Sequence, residues 1–236
     1  MAILGDMVDH SKPMKLLVIG GTSILSESIS QLARIEEYQI ETTSRGGKVC
    51  SYADTQHELD LSSVSSLEEF LRGISTHRYN RIIVLTGETS GIDVDANGTE
   101  EINAYYNTHL INTVYLIDQL LAKLETPGNL IYISSIAATN SSYDCHYSAV
   151  KAGVTAYIKS RSRFLSANQS SFSIAPSLIK DTKMYRGMST NTVANHLVRN
   201  KGRLISPNEV AKYVWAQRPE TTMAINGQLI SVGNEY

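Results

Sequence analysis

Residues 130–152 read LIYISSIAATNSSYDCHYSAVKA and hold an apolar run, a serine pair, a polar loop and the start of a second apolar pattern. The run Leu130–Ile133 is typical of a strand buried on both faces of a parallel sheet. After the loop, apolar residues recur at helical spacing between Ala149 and Ile158. A buried strand that leads through a short loop into a helix is the repeating unit of an α/β fold.

The same stretch carries a phenol and an ammonium at Tyr147 and Lys151, four residues apart. On a helix these side chains lie on one face, one turn apart. The cation would stabilise a phenolate and lower a tyrosine pKa that is about 10 when unperturbed, which permits proton exchange near neutral pH. A tyrosine and a lysine at this spacing are also common on exposed helices. The upstream strand that ends in serine favours the catalytic interpretation.

The rest of the chain continues the alternation of strands and helices. The sequence predicts further strands at residues 15–19, 39–43, 81–85 and 171–175. We therefore predict a Rossmann-type, doubly wound α/β fold with a mostly parallel seven-stranded sheet and helices on both faces. One domain would span residues 14–236, whereas residues 1–13 mix charge, Gly and Pro and are predicted to be a flexible extension.

Composition argues against several classes of function. The formal net charge is −2 and Lys and Arg do not cluster, so we expect neither nucleic acid nor an anionic membrane as partner. The two cysteines and six histidines lack metal-ligand spacing, so we expect no metal. No apolar run approaches the roughly 20 residues of a membrane span, and no leader pattern precedes the domain. A cytoplasmic protein is expected.

The first strand ends in a candidate phosphate site. Gly20-Gly21-Thr22-Ser23 connects it to a helix that starts at Ile24. Free N–H groups and the helix dipole at such a turn favour a dinucleotide pyrophosphate. Bulk at Ile24 could obstruct the approach of the pyrophosphate, and the Thr22 and Ser23 hydroxyls could compensate by hydrogen-bonding it. An ordinary strand-to-helix turn is the alternative interpretation.

The second strand ends in Ser44-Arg45. Dinucleotide folds that prefer NAD place an acid here for the ribose hydroxyls, whereas hydroxyl and Arg groups suit a 2′-phosphate. These residues therefore favour NADP(H) over NAD(H). An arginine on an exposed turn is the alternative.

The strand ending in Ser135 and the Y-x-x-x-K helix resemble the classical subgroup of the short-chain dehydrogenase/reductase family, and the resemblance runs from about residue 15 to 233. It implies that Ser135 orients the substrate, with Ser134 as the fallback. It further implies that Tyr147 is the acid/base, that Lys151 tunes it and holds the nicotinamide ribose, and that Asn107 anchors a proton-relay water.

The resemblance also implies a set of dinucleotide contacts at the strand ends. Asp60, after the third strand, would lie near the adenine, although capping of a loop or helix is an equal alternative for it. The implied cofactor-binding residues are Gly20, Thr22, Ser23, Ile24, Ser44, Arg45, Asp60, Leu61, Thr86, Gly87, Tyr147, Lys151, Pro176, Ile179 and Thr182.

The chain departs from the family pattern at several of these places. The T-G-x-x-x-G-x-G turn keeps Gly20 but has Ile24 and Ser26 where later glycines stand. The family's N-N-A-G is replaced by T-G-E at residues 86–88, and Ser177 replaces a glycine after proline. These departures motivate the alternative of a catalytically silent binding or regulatory protein on the same fold.

The residues together predict an NAD(P)-dependent oxidoreductase that reduces a ketone to a secondary alcohol, or runs the reverse reaction. An oxidoreductase acting on a sugar or nucleotide-sugar is a further alternative. The polar segment 183–203 is predicted to be the lid over a small-molecule substrate. In the family the helices that carry Asn107 and Tyr147 commonly form subunit contacts, so we expect a homodimer or homotetramer.

Overall fold

A single parallel sheet organises the computed structural model, which describes residues 13–47, 49–91, 98–140 and 142–233. The seven strands have the order β3-β2-β1-β4-β5-β6-β7, and each neighbouring pair is parallel. Their bounds are β1 Lys15–Ile19, β2 Gln39–Ser44, β3 Thr55–Glu58, β4 Tyr79–Val84, β5 Leu124–Ile133, β6 Gln169–Pro176 and β7 Leu229–Val232. The predicted doubly wound α/β sheet is confirmed, with parallel pairing throughout.

Helices connect successive strands except β2 and β3, between which the described residues form no helix. The described residues form α1 Ile24–Ile35, α2 Val64–Gly73, α3 Thr99–Tyr106, α4 Asn112–Leu121, α5 Cys145–Arg161, α6 Lys183–Gly187, α7 Thr190–Arg199 and α8 Pro207–Ala216. The sequence predicted one long helix around Asn107, but a π-helical turn over Asn107–Ile111 separates α3 from α4. Segment 183–203, predicted as a polar lid, contains α6 and α7.

The core has one layer on each face of the sheet. Along β1, Leu17 and Ile19 pack on the face covered by α2, α4 and α5. Leu16 and Val18 point to the opposite face, which α1 and α8 cover. Because the central strands are covered on both faces, their sequences are continuous apolar runs rather than alternating ones. The beginning of β5 is the exception: the five residues after Leu124 read ETPGN and form no apolar run, so the sequence placed the start of the strand at Leu130 rather than Leu124.

Parallel pairing brings the candidate site residues to one edge of the sheet. Gly20 and Arg45 directly follow β1 and β2, and Ser177 directly follows β6. Thr86 and Ser135 each stand two residues beyond the end of β4 and β5. The strand order reverses between β1 and β4, and a crevice at such a reversal is where open α/β sheets bind ligands.

Two further observations concern the described part of the chain. It contains no helix that is both long and apolar enough to cross a membrane. The same ranges hold no group of three or more His, Cys, Asp or Glu residues arranged to bind a metal ion. Of the predicted N-terminal extension, residues 1–12 lie outside the described residues.

Candidate active site

A cavity of about 1040 Å³ runs along the carboxyl ends of the strands, where the strand order reverses. Its size lies at the upper end of the range of about 300 to 1,000 Å³ typical of small-molecule and cofactor sites. The structure brings most of the predicted site residues to this cavity: Gly20, Thr22, Ser23, Ser44, Arg45, Asp60, Leu61, Thr86, Gly87, Ser135, Tyr147, Lys151, Pro176, Ile179 and Thr182. Asn107 and Ile24 are not among its lining residues.

The turn after β1 requires glycine for reasons within the protein itself. Gly20 has a φ of +89°, which side-chain-bearing residues rarely adopt, and its N–H donates to Thr43 Oγ1 at 3.0 Å. A Cβ on Gly21 would lie 2.6 Å from Thr42 Cβ. Ser23 then caps α1, because its hydroxyl accepts from the Ser26 N–H at 3.0 Å. The backbone is thereby held close to the cavity at the N-terminus of α1.

Ile24 does not obstruct the cavity, contrary to the prediction from sequence. Its side chain is 40% exposed, whereas the next residue, Leu25, is buried and lines the cavity. The first turn of α1 therefore directs Ile24 toward solvent. The cofactor contact predicted for Ile24 lacks support from its side chain for the same reason.

The predicted cofactor contacts at the ends of β2 and β3 already make hydrogen bonds or ion pairs within the protein. The Ser44 hydroxyl accepts from Gln56 Nε2 at 2.9 Å, and the Arg45 side chain is 67% exposed. Asp60 Oδ1 accepts from the N–H and the hydroxyl of Ser62 at 2.9 and 2.7 Å, and these hydrogen bonds lower the pKa of Asp60. Asp60 thus lines the cavity and also caps its own loop, so both predicted roles fit the geometry.

Ser135 and Tyr147 form the centre of the site. Tyr147 is only 7% exposed, and its side chain is hydrogen-bonded to Ser135. Burial is the largest influence on the pKa of Tyr147 and raises it. The hydrogen bond with Ser135 lowers this pKa and the charge of Asp144 raises it, and the pKa that results is about 12. The fallback hydroxyl, Ser134, is instead hydrogen-bonded to Thr155 Oγ1 at 2.8 Å. The geometry therefore favours Ser135 as the partner of the tyrosine.

Lys151 lies beneath the tyrosine and is 3% exposed. Its Nζ donates to the carbonyls of Thr86 and Ile133 at 2.7 and 2.9 Å and lies 5.7 Å from the centroid of the Tyr147 ring. Burial lowers the pKa of Lys151 to about 7. The sequence predicted that this cation lowers the pKa of Tyr147, but burial dominates for both groups and raises that of the tyrosine.

The π-helical turn changes which residues of its helix reach the cavity. Asn107, predicted to anchor the proton relay, is the first residue of the turn and is exposed. Thr108 and His109 line the cavity instead, because the wider turn shifts the register of the helix faces. His109 packs against Tyr105, with 4.6 Å between ring centroids, and its Nδ1 is buried without a hydrogen bond to any residue that the structure describes. Burial lowers the pKa of His109.

Glu88, just after β4, is a cavity residue to which the sequence gave no role. Its Oε1 lies 3.2 Å from Arg45 Nη2 and 3.0 Å from Lys183 Nζ, and its carbonyl accepts from the Tyr105 hydroxyl at 2.8 Å. The sequence signal that could have identified Glu88 as a site residue is its position just after the carboxyl end of a parallel strand. Its ion-pair partners come from distant parts of the chain, so sequence spacing does not reveal them.

Several features of the cavity fit a dinucleotide. The glycine turn presents backbone next to the N-terminus of α1, where an anion is favoured. Thr86 Oγ1 and Ser177 Oγ are buried, line the cavity and have no hydrogen-bond partner among the described residues. Gly87, with a φ of +125°, is needed because a Cβ there would lie 2.7 Å from Lys151 Nζ. The Thr182 hydroxyl is engaged, since it donates to the Ile179 carbonyl at 2.9 Å and caps α6.

A doubly wound parallel sheet, a cavity at its reversal point and a Ser-Tyr-Lys group with buried tyrosine and lysine define the class of dinucleotide-binding oxidoreductases. A family model described as enoyl-(acyl carrier protein) reductase matches residues 52–234, most of the chain beyond the unusual glycine turn. The chain therefore belongs to the short-chain dehydrogenase/reductase family of oxidoreductases. A comparison with curated proteins found no significant match.

Solved structures agree on the fold. The chain is similar to a short chain dehydrogenase family protein from Francisella tularensis subsp. tularensis SCHU S4, with 16% identity, 94% of this chain and 97% of that chain covered, and a TM-score of 0.81. It is also similar to a 3-oxoacyl-[acyl-carrier protein] reductase from Brucella melitensis in complex with NAD, with 17% identity, 94% of this chain and 96% of that chain covered, and a TM-score of 0.81. A third similar structure is BdcA in complex with NADPH, with 15% identity, 94% of each chain covered and a TM-score of 0.81.

Proposed function

We propose that this chain uses NADPH to reduce a ketone to a secondary alcohol, or catalyses the reverse oxidation. The observation that carries the proposal is the Ser135-Tyr147-Lys151 group inside the cavity, in which the tyrosine and the lysine are buried. A tyrosine there can exchange a proton with a substrate oxygen, and a lysine beside it can stabilise the resulting phenolate. The side chain of Ile24 leaves the cavity free, which weakens the alternative of a silent binding protein.

The cavity residues would hold the dinucleotide at three places. The turn of Gly20, Thr22 and Ser23 would bind the pyrophosphate at the N-terminus of α1. Ser44 and Arg45 would contact the adenosine end, where a guanidinium suits a 2′-phosphate. The residues assigned to the nicotinamide end are Thr86, Gly87, Lys151, Pro176, Ile179 and Thr182.

The protein's own part in the reaction is proton transfer and orientation. NADPH, when bound, supplies the hydride that adds to the carbonyl carbon. Tyr147 gives its hydroxyl proton to the carbonyl oxygen, which Ser135 holds by a hydrogen bond. Lys151, as the ammonium ion, stabilises the phenolate left behind. In the reverse direction the phenolate accepts the proton of the alcohol.

Substitution of Tyr147 by phenylalanine tests this proposal. A panel of ketones with NADPH should yield at least one substrate, and Y147F should turn it over at least about 100-fold more slowly, the scale of general acid catalysis. Tyr213→Phe is the matched control, because it removes a hydroxyl from a half-buried side chain on α8, outside the cavity. Equal rates for Y147F and the wild-type protein would contradict the proposal.

We also propose that the protein is a homo-oligomer. Ile111 and Tyr115 lie one helical turn apart on the π turn and α4, and they are 56% and 47% exposed. Large apolar side chains at this spacing on an outer helix are suited to packing against a second copy.

A further inference from the structure

Three charged side chains from separate parts of the chain meet beside the cavity. Arg45 follows β2, Glu88 follows β4, and Lys183 begins α6. Glu88 Oε1 contacts both cations, at 3.2 Å from Arg45 Nη2 and 3.0 Å from Lys183 Nζ. The carboxylate therefore links the end of β2 to the lid.

The backbone that carries Glu88 is fixed on both sides. Lys151 Nζ donates to the Thr86 carbonyl at 2.7 Å, and the Tyr105 hydroxyl donates to the Glu88 carbonyl at 2.8 Å. Further along, Asp144 Oδ2 accepts from the Ser90 N–H at 2.6 Å. Since the main chain is anchored at these points, the carboxylate stays beside the cavity and only its side-chain torsions are free.

The surroundings of Glu88 favour its ionised form. The hydrogen bond from Lys183 lowers the pKa of Glu88, partial burial opposes this, and Arg45 and His109 lower it further. A carboxylate held at this place adds a negative charge to a cavity suited to a negatively charged dinucleotide. It also engages Arg45, the guanidinium assigned above to a 2′-phosphate.

We propose that Glu88 is a specificity-determining residue: it occupies Arg45 and Lys183 as an internal anion that a cofactor phosphate must displace, and so it weakens binding of NADPH more than binding of NADH. This inference rests on the proposed use of NADPH. NADH is affected less because it lacks the 2′-phosphate that competes for Arg45. Exposed ion pairs are weak, so displacement costs only a modest factor in affinity.

Nicotinamide fluorescence can test the inference without a substrate. Glu88→Gln keeps the side-chain shape and removes the charge, and we expect it to bind NADPH about threefold to tenfold more tightly and NADH within about twofold of wild type. Raising the salt concentration should shrink the difference for NADPH, because exposed charges are screened. Glu125→Gln is the matched control, since this exposed carboxylate lies at the start of β5, away from the strand ends that border the cavity.

A second background separates competition for Arg45 from a general change of charge. With Arg45→Gln already present, Glu88→Gln should change the Kd for NADPH by less than about twofold. Unchanged or weaker NADPH binding by E88Q, or an equal gain in both backgrounds, would overturn the inference while leaving the proposed function intact. If wild type binds neither cofactor and E88Q binds NADPH, the proposed use of NADPH by the wild-type protein falls, although Glu88 is then shown to oppose NADPH binding. If neither protein binds either cofactor, the inference and the proposed function both fall.

Discussion

At the scale of single residues, the site combines groups whose burial opposes their charged forms. Tyr147 and Lys151 are both buried, with pKa values displaced to about 12 and about 7. Burial of this kind is common where proton transfer is catalysed. The residue types at these positions and at Ser135 were predictable from sequence, because strand end, loop and helix follow one another directly. The opposing pKa shifts depend on the packed surroundings and were not.

Other residues of the site were misjudged for identifiable reasons. Asn107 carries the residue type that the resemblance implies, but the π turn exposes it and brings His109 to the cavity. Periodicity in the sequence does not reveal one widened turn. The assignment of Ile24 failed because a motif places a residue along the chain without fixing which way the first helical turn faces.

Glu41 provides a prediction at this scale. Its buried carboxylate accepts from the Tyr79 hydroxyl at 2.8 Å and contacts His57 and His77 at 2.8 and 3.2 Å. Burial raises the pKa of Glu41, but the hydrogen bonds of His57 and Tyr79 outweigh it and bring the pKa to about 2. A depressed folded-state pKa stabilises the protein above about pH 4.5, and this contribution is lost as the pH falls toward 2.

We expect Glu41→Gln to lower the free energy of unfolding by about 1.5 to 3 kcal/mol at pH 7, and by less at pH 3. Urea unfolding at both pH values measures this difference. Glu58→Gln, an exposed carboxylate on the neighbouring strand β3, should have little effect. A loss that is as large at pH 3 as at pH 7 would contradict the assignment to the charged carboxylate.

At the scale of elements, most strands and helices follow from apolar periodicity and from capping residues. The start of α8 shows this: Ser206 caps an apolar helix and forms a capping box with Glu209. The contact that holds the end of α8 was not predictable, because it comes from Arg81 of β4. This fully buried side chain donates to the carbonyls of Trp215, Val214 and Gln217 at 3.0, 2.9 and 2.9 Å.

Removal of this arginine should destabilise the protein strongly. Arg81→Met leaves three carbonyls without their donor and removes a guanidinium that lies 4.3 Å from the Trp215 ring centroid, so we expect a loss of at least about 3 kcal/mol. Arg81→Lys should recover only part of it, because an ammonium cannot reproduce the planar fork. Urea unfolding followed by circular dichroism measures both. If R81M lowers the free energy of unfolding no more than the exposed control Arg78→Met does, α8 does not depend on this contact.

At the scale of the whole molecule, strand order and the position of the cavity follow from the alternation of strands and helices. The parallel sheet collects residues from β1 to β6 at one edge, which is why most of the site residues predicted from sequence line the cavity. Contacts across the cavity, such as Glu88 with Lys183, depend on where segment 183–203 lies. Polar segments like 183–203 carry no periodicity that fixes such a position.

Oligomerisation is a prediction at this scale. The double substitution Ile111→Glu and Tyr115→Glu places two charges on the exposed apolar face, so we expect the assembly to dissociate into monomers. Light scattering coupled to size-exclusion chromatography measures the mass. Val198→Glu is the control, since Val198 is 80% exposed on α7 in the lid. A wild-type protein that elutes as a monomer would contradict the expectation.

The central claim is that the cavity binds a nicotinamide dinucleotide and prefers the phosphorylated form. Titration of the wild-type protein with NADPH and with NADH, followed by nicotinamide fluorescence, tests it most directly. We expect both to bind, NADPH more tightly, and Arg45→Gln to weaken NADPH by about tenfold or more while leaving NADH within about twofold. Binding of neither cofactor by the folded protein would contradict the account.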